Sequence, residues 1–233
     1  MRLVLWDIDG TLVHTAGHGR EAFMEAFERL FERPPADDAV PMAGRTDHAI
    51  ALDLLERNGI PRPEERLARM FEELHAALSR RRSQMAEQGH PQPGVREVLE
   101  RAAEIPGLLQ SLLTGNIAPN AQLKLAAFDL DRLIDLEIGG YGSDHETRSE
   151  LVGVARRKAR AKHGVHVPVA ETVVVGDTPL DVNAARAAGA RVVAVATGPY
   201  SPEELEQASP DAVLSDMSDT GAVLDALFGS PPG

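Results

Sequence analysis

The sequence predicts an α/β protein, in which a parallel sheet is flanked by helices and an all-helical section is inserted after the first strand. Two observations predict this fold class. In residues 91–229, short apolar runs alternate with helical patterns, which is typical of a parallel sheet with right-handed crossovers. In residues 15–90, the hydrophobic spacing is helical and no segment has a good strand pattern.

The first strand is predicted from the apolar run that begins at Leu3, in LVLWDIDGTLVHT. Three helices are expected next, because apolar residues recur at every third or fourth position of three segments. These segments are REAFMEAFERLFERP, DHAIALDLLERNG and EERLARMFEELHAALSRRRSQM. We expect them to form a cap, joined to the rest by hinges near Gly17 and in QGHPQPG.

The chain after the predicted cap alternates between the two kinds of element. Helices are predicted in GVREVLERAAEI, NAQLKLAAFDL and SELVGVARRKARAKHG, and strands in LLQSLLTG, LIDLEIGG, TVVVGD, RVVAVATG and DAVL. We therefore predict a Rossmann-like core section of residues 1–14 and 91–229, a helical section of residues 15–90, and a frayed tail of residues 230–233. A chain of 233 residues, 43% of them hydrophobic, is long enough for two such units.

Composition excludes several classes of function. The net charge of −12 argues against nucleic-acid and membrane-surface binding, both of which need a positive face. No apolar run approaches the roughly 20 residues of a membrane span, so we expect a cytoplasmic protein. As to oligomeric state, we expect a monomer or a homodimer. The chain has no cysteine, so a bound metal would need oxygen or imidazole ligands.

Polar residues lie at or just beyond the carboxyl ends of four predicted strands. They are Asp7 and Asp9 after the first strand, Thr114, Gly115 and Asn116 at the end of the second, Arg148 after the third, and Asp177 and Asp181 after the fourth. Ligands of open parallel sheets bind beyond these ends, so we expect the side chains to converge. Converging carboxylates repel one another, and a hard divalent cation would offset that repulsion; we expect Mg²⁺, because the ligands are oxygens.

Three of these segments, DIDGT, LLTGN and VVVGDTPLD, occur in an order that resembles the haloacid dehalogenase superfamily of aspartate-nucleophile phosphatases. The matching subgroup carries a helical cap of the C1 type after the first motif. The resemblance implies a Mg²⁺-dependent phosphatase that hydrolyses small phosphorylated metabolites through an aspartyl-phosphate, similar to phosphoglycolate phosphatases.

The resemblance also implies roles for the acidic residues. Asp7 would be the nucleophile, and Asp9 the general acid and base, with a pKa above its ordinary value. The metal would be held by the Asp7 carboxylate, the Asp9 backbone carbonyl and Asp177. Asp181 would orient metal-bound water or a neighbouring cation. A competing interpretation is that Asp177 or Thr178 only caps a helix.

Substrate-binding candidates come from two places. Phosphoryl oxygens would be bound by the first two motifs, in which the candidates are Gly10, Thr11, Thr114, Gly115 and Asn116. In the helical section, Arg45 of AGRTDHA is the candidate for a distal carboxylate or phosphate of the substrate. Alternatively, Thr46 or Asp47 caps the next helix and Arg45 is solvated.

The third motif departs from the family pattern, because GYGSDHETRSEL lacks the usual lysine. Arg148 could replace it, since a guanidinium holds carboxylate and phosphoryl oxygens together. Lys124, on the helix after LLTGN, is the second candidate. Both could instead be solvated surface residues.

Other functions stay open at this point. A hexose-phosphate mutase of the same fold would return the phosphoryl group to substrate. A receiver-type signalling domain also forms a phospho-aspartate, but it is shorter and lacks a cap. A dehalogenase would have no need of Asp9. A non-catalytic binding protein would not need the acidic positions intact.

Overall fold

The computed structural model describes residues 1–229, so the predicted frayed tail, residues 230–233, lies outside the described residues. The strands within this range are β1 (Arg2–Trp6), β2 (Val13–His14), β3 (His90–Pro91), β4 (Leu108–Thr114), β5 (Gly140–Tyr141), β6 (Thr172–Gly176), β7 (Arg191–Val195) and β8 (Ala212–Leu214). Six of them form a parallel sheet with the order β5-β4-β1-β6-β7-β8. The predicted α/β fold class is confirmed.

Ten α-helices accompany these strands in residues 1–229. They are α1 (His18–Phe31), α2 (Asp47–Arg57), α3 (Leu67–Arg80), α4 (Arg82–Gln88), α5 (Val95–Ala103), α6 (Ala118–Ala126), α7 (Arg148–His163), α8 (Pro179–Ala188), α9 (Pro202–Gln207) and α10 (Thr220–Phe228). None of the helices in this range is both long and apolar enough to cross a membrane.

Strand β1 lies in the middle of the sheet, between β4 and β6. Its side chains alternate between two apolar clusters: Val4 and Trp6 belong to one, and Leu3 and Leu5 to the other. A strand buried on both faces explains the uninterrupted apolar run in the sequence. Because β4 and β6 pair with opposite edges of β1, the crevice beyond Trp6 is the place where such a sheet binds ligands.

Helices α1 to α4 all lie between β2 and β3, in the helical section. Strands β2 and β3 pair antiparallel, so the chain leaves and re-enters the core section through one two-stranded ribbon. The long helix expected after residue 63 is interrupted, because a 3₁₀ turn at Pro63–Arg66 precedes α3 and a break at Arg81 precedes α4. The division of the chain at residues 14 and 91 stays a prediction.

The strand expected in LIDLEIGG is wrong for most of its length. Two 3₁₀ turns, Asp131–Leu133 and Leu136–Ile138, occupy this segment, and only Gly140 continues into strand β5. Asp135 explains the difference, because its side chain accepts a hydrogen bond from the Glu137 amide and so favours a turn. The apolar residues still pack into the core, but from turns.

Candidate active site

A tight turn at the carboxyl end of β1 presents Asp7 and Asp9. The Asp7 amide still bonds to the Val175 carbonyl of β6, at 2.9 Å. Gly10 then has φ +86°, and a Cβ there would lie 2.3 Å from an oxygen of Asp177, so only glycine fits. The Gly10 carbonyl accepts a hydrogen bond from the Thr197 hydroxyl at 2.6 Å. The backbone therefore passes directly against the acidic residue that follows β6.

Three buried carboxylates meet beyond the ends of β1 and β6. Asp7, Asp177 and Asp181 each offer an oxygen, and these oxygens lie within 4.8 Å of one another. Thr11, a predicted substrate-binding residue, instead donates its hydroxyl to Asp177 at 2.8 Å. Arg148 donates to Asp7 at 2.8 Å and also bonds to Asp181. One guanidinium thus pairs with two of the three carboxylates, and Asp177 has no cationic side chain bonded to it among the described residues.

This excess of negative charge is visible in the pKa values. Burial raises the pKa of Asp7 to about 7, although Arg148 opposes the shift. Burial and the neighbouring carboxylates Asp181 and Asp7 raise the pKa of Asp177 well above its ordinary value. Oxygen-only donors with unmatched negative charge are suited to a hard divalent cation. The cluster therefore fits such an ion.

Asp181 has two partners that fix its position. The capping interpretation holds for Thr178, whose hydroxyl caps α8 while the Asp181 carboxylate bonds back to the Thr178 amide at 3.1 Å. The same Asp181 carboxylate binds Arg148. Capping and a place in the cluster therefore coexist, and Asp177 is not the cap.

Asp9 points away from this cluster. Its carboxylate accepts hydrogen bonds from Lys124 Nζ at 2.6 and 2.8 Å and from Asn116 Nδ2 at 2.7 Å. The expectation of a raised pKa is wrong: burial alone would raise the pKa of Asp9, but Lys124 and Asn116 hold it below its ordinary value. Its side chain is also absent from the three-carboxylate cluster.

Both candidate cations lie in the site, and the interpretation of either as a solvated surface residue is wrong. Arg148 is 9% exposed and Lys124 is 5% exposed. Burial would lower the pKa of Arg148, but Asp181 and Asp7 raise it, so the guanidinium stays charged. Asp7 and Asp9 therefore have separate cationic partners: Arg148 pairs with Asp7, and Lys124 pairs with Asp9.

The loop after β4 connects these groups. Asn116 Nδ2 donates to the Thr114 hydroxyl at 2.9 Å, and Asn116 Oδ1 accepts from Lys124 at 2.7 Å. Thr114 is fully buried at the strand end. The predicted second-motif residues therefore lie beside Asp9, as their position at the end of a parallel strand implies.

Arg45 lies at the edge of the site. Thr46 is the N-cap of α2, as one alternative proposed, and it accepts from the Ala49 amide at 3.2 Å. The Arg45 side chain is only partly solvated, with 25% of it exposed, and its guanidinium pairs with Asp53 at 2.8 Å and bonds to the Ala49 carbonyl at 3.1 Å.

A cavity of about 210 Å³ lies between the helical section and the sheet, next to these residues. The candidate site residues in its wall are Asp7, Asp9, Arg45, Thr114, Gly115, Asn116, Lys124 and Arg148. Sequence reasoning missed Arg20 and Asp47, which also line it. Arg20 belongs to none of the sequence motifs, and the position of Asp47 beside Thr46 indicates only a helix cap.

The comparisons with known proteins agree with this fold. A family model described as haloacid dehalogenase-like hydrolase matches residues 4–186, so the chain belongs to this family. The predicted family and enzyme class, a hydrolase, are confirmed. The phosphoglycolate phosphatase of Aliivibrio fischeri is 25% identical over 96% of both chains. The pyrophosphatase PpaX of Halalkalibacterium halodurans is 26% identical over 93% of both chains.

Solved structures support the same assignment. A hydrolase from Pseudomonas syringae superposes with a TM-score of 0.71 at 25% identity, and the match covers 97% of this chain and 98% of that one. The similarity therefore spans the helical section as well as the sheet.

Proposed function

We propose that this protein is a Mg²⁺-dependent phosphatase of small phosphomonoesters, which works through an aspartyl-phosphate and is similar to phosphoglycolate phosphatases. The observation that carries the proposal is that the side chains of Asp7 and Asp9 lie in separate networks. Asp7 lies in the carboxylate cluster beside Arg148, whereas Asp9, two positions further along the chain, lies in a different network with Lys124 and Asn116. Two carboxylates in different surroundings are suited to different tasks.

Asp7 is the proposed nucleophile. A carboxylate oxygen of Asp7 attacks phosphorus, the ester bond to the substrate oxygen breaks, and the phosphoryl group passes to Asp7. Arg148, which is held at 2.8 Å from Asp7, contributes a permanent positive charge next to the transferred group. Water then attacks phosphorus, and inorganic phosphate leaves Asp7 as a free carboxylate again.

Asp9 is the proposed proton shuttle. In the first half it gives a proton to the leaving oxygen, and in the second half it takes one from the attacking water. The pKa of Asp9 is held low by its contacts with Lys124 and Asn116, so the carboxylate is in its basic form before substrate binds. A bound phosphoryl dianion would compete for Lys124, and this loss of Lys124 would raise the pKa of Asp9, so that its carboxylate takes a proton from solvent water before the ester bond breaks.

Asp7, Asp177 and the Asp9 backbone carbonyl are the proposed Mg²⁺ ligands, with Asp181 holding Arg148 beside them. When bound, Mg²⁺ would offset the repulsion between the carboxylates and the phosphoryl oxygens. The raised pKa values of Asp7 and Asp177 support a cation at this place.

Hydrolysis of a panel of phosphomonoesters tests the proposal. Phosphate release is measured from phosphoglycolate, nucleotides, hexose phosphates and an aryl phosphate, with Mg²⁺ and with EDTA. We expect release that requires Mg²⁺ and is highest for one small compound. Conversion of a hexose phosphate to its isomer without net phosphate release would contradict the proposal and favour a mutase. The absence of release from every compound would also contradict it.

Arg45 is the proposed contact for a second anionic group of the substrate. Arg45→Ala is expected to raise KM about tenfold or more for such a substrate, because a charge-assisted hydrogen bond is lost. KM for the featureless aryl phosphate should change less than about twofold. Steady-state kinetics on both substrates measures the difference.

Arg57→Ala is the matched control. Arg57 shares the Asp53 carboxylate with Arg45, at 2.5 Å, but it does not line the cavity. This control should leave both KM values near those of the wild type. Equal effects of Arg45→Ala on the two substrates would remove Arg45 from substrate recognition.

A further inference from the structure

Asp47 connects the helical section to the loop after β4. It is the first residue of α2, and its Oδ2 accepts a hydrogen bond from the Ile117 amide at 2.8 Å. Its own amide donates to the Gly115 carbonyl at 2.7 Å. Asp47 therefore binds the backbone on both sides of Asn116 while being only 6% exposed itself.

The two sections are in close backbone contact at this point. A Cβ on Gly115 would lie 2.1 Å from the Arg45 carbonyl oxygen, and a Cβ on Gly142 would lie 1.9 Å from the Gly115 carbonyl oxygen. The loop is thus held between the approach to α2 and the segment after β5. Thr46 caps α2 and so fixes the direction in which Asp47 points.

The loop held by Asp47 carries the groups that surround Asp9. Asn116 donates to Asp9 at 2.7 Å and accepts from Lys124 at 2.7 Å, so a displaced loop would disturb both partners of the proposed proton shuttle. Thr114 is tied to the same amide at 2.9 Å. Misplacement of such groups by about 1 Å lowers rates strongly.

We propose that Asp47 is a positioning residue: by binding the Gly115 and Ile117 backbone, it aligns the Thr114–Asn116 loop when the helical section lies against the core section. The inference rests on the proposed function, because the loop matters through the phosphoryl group that it would bind. Asp47 itself need not touch the substrate. It acts through the loop, and so through Asn116 and Lys124.

The energetics of Asp47 support a role beyond stability. Burial raises the pKa of Asp47 to about 6, against the effects of Lys124 and the Ile117 amide, while Asp9 adds to the rise. When the pKa of an acid is higher in the folded than in the unfolded state, the free energy of unfolding of the protein decreases as the pH rises between the two pKa values, here from about 4 to about 6. At neutral pH an ionised Asp47 therefore destabilises the fold, and the backbone contacts are formed despite that cost.

Three variants separate positioning from stability. Asp47→Ala removes the acceptor for the Ile117 amide, whereas Asp47→Asn retains an acceptor oxygen. Asn58→Ala is the matched control: Asn58 is also buried at an end of α2, but its side-chain bonds go to Ala36, Asp37 and Leu54 within the helical section. Each variant is tested for kcat, KM, inhibition by vanadate and amide exchange at Ile117.

Asp47→Ala is expected to lower kcat and weaken vanadate inhibition, each by about tenfold or more, because loop donors act on the transition state. Exchange at the Ile117 amide should become faster. Asp47→Asn should stay within about threefold of wild type in kcat and vanadate inhibition. Asn58→Ala should lower the melting temperature and leave vanadate inhibition and Ile117 exchange unchanged.

Two results would overturn the inference: unchanged Ile117 exchange in Asp47→Ala, or vanadate inhibition as strong as in wild type despite faster exchange. Equal losses in Asp47→Ala and Asn58→Ala would indicate a merely structural role and would also overturn it. Failure of the proposed function is distinguishable, because wild type would then release no phosphate from any substrate. The exchange measurement reports on the contact without requiring turnover.

Discussion

Asp7→Asn is expected to lower kcat by at least about 10⁴-fold, to the limit of detection, while the protein stays folded. The carboxamide is neutral and a poor nucleophile, so no phosphoryl group can pass to residue 7. Arg148 should remain in place, because it also bonds to Asp181. Phosphate release from the best substrate of the panel measures the loss.

The same substitution should stabilise the metal-free protein. Burial raises the pKa of Asp7 to about 7. Between the unfolded and folded pKa values, the Asp7 carboxyl is therefore protonated in the folded protein and ionised in the unfolded chain. Stability from this group therefore falls as the pH rises from about 4 to about 7. In EDTA at pH 8, Asp7→Asn is expected to melt at a higher temperature than wild type.

Glu171→Gln is the control for this exchange of carboxylate for amide. Glu171 pairs with Arg2 at the amino end of β1, and it is remote from the cluster. It should leave kcat unchanged. Near-normal turnover by Asp7→Asn, with the control also active, would refute the nucleophile assignment.

Asp9→Asn is expected to separate the two halves of the reaction. An aryl phosphate has a good leaving group that needs little protonation, so transfer to Asp7 should still occur. Hydrolysis of the phospho-aspartate should then slow by roughly 10²- to 10⁴-fold, because no base activates water. Rapid-quench measurement should show a burst of one phenolate per protein, followed by almost no turnover.

An alkyl phosphate provides the internal control for Asp9→Asn. Its leaving oxygen needs the proton that residue 9 can no longer supply, so no burst is expected. A steady rate without a burst on the aryl phosphate, close to that of wild type, would contradict the assignment of Asp9. Equal bursts on both substrates would show that the leaving oxygen receives its proton elsewhere.

The place of the site could be predicted from the sequence because strand ends are predictable. Asp7, Thr114 and Asp177 each end or follow an apolar run, and parallel strands bring such ends to one edge. The glycine at position 10 is a candidate from its place in the first motif, but its close approach to Asp177, at 2.3 Å from a Cβ built there, is evident only from the structure.

The partners of the acidic pair could not be predicted in the same way. Arg148 and Lys124 reach the site through long side chains that begin on helices. Sequence spacing does not determine where the charged group at the end of such a side chain lies. The expected direction of the Asp9 pKa shift is wrong for this reason, since the direction depends on the contact with Lys124. Asp47 was missed because its partners are backbone groups in another section of the chain.

Mass analysis of the peptide that contains Asp7 is the most direct test of the central claim, that catalysis passes through a phosphoryl group on this residue. Asp9→Asn is mixed with aryl phosphate and Mg²⁺, quenched in acid after the burst and digested. We predict one phosphoryl group on Asp7 and none in the Asp7→Asn/Asp9→Asn double variant. An unmodified Asp7 after a full burst, or a phosphoryl group on another residue, would contradict the account.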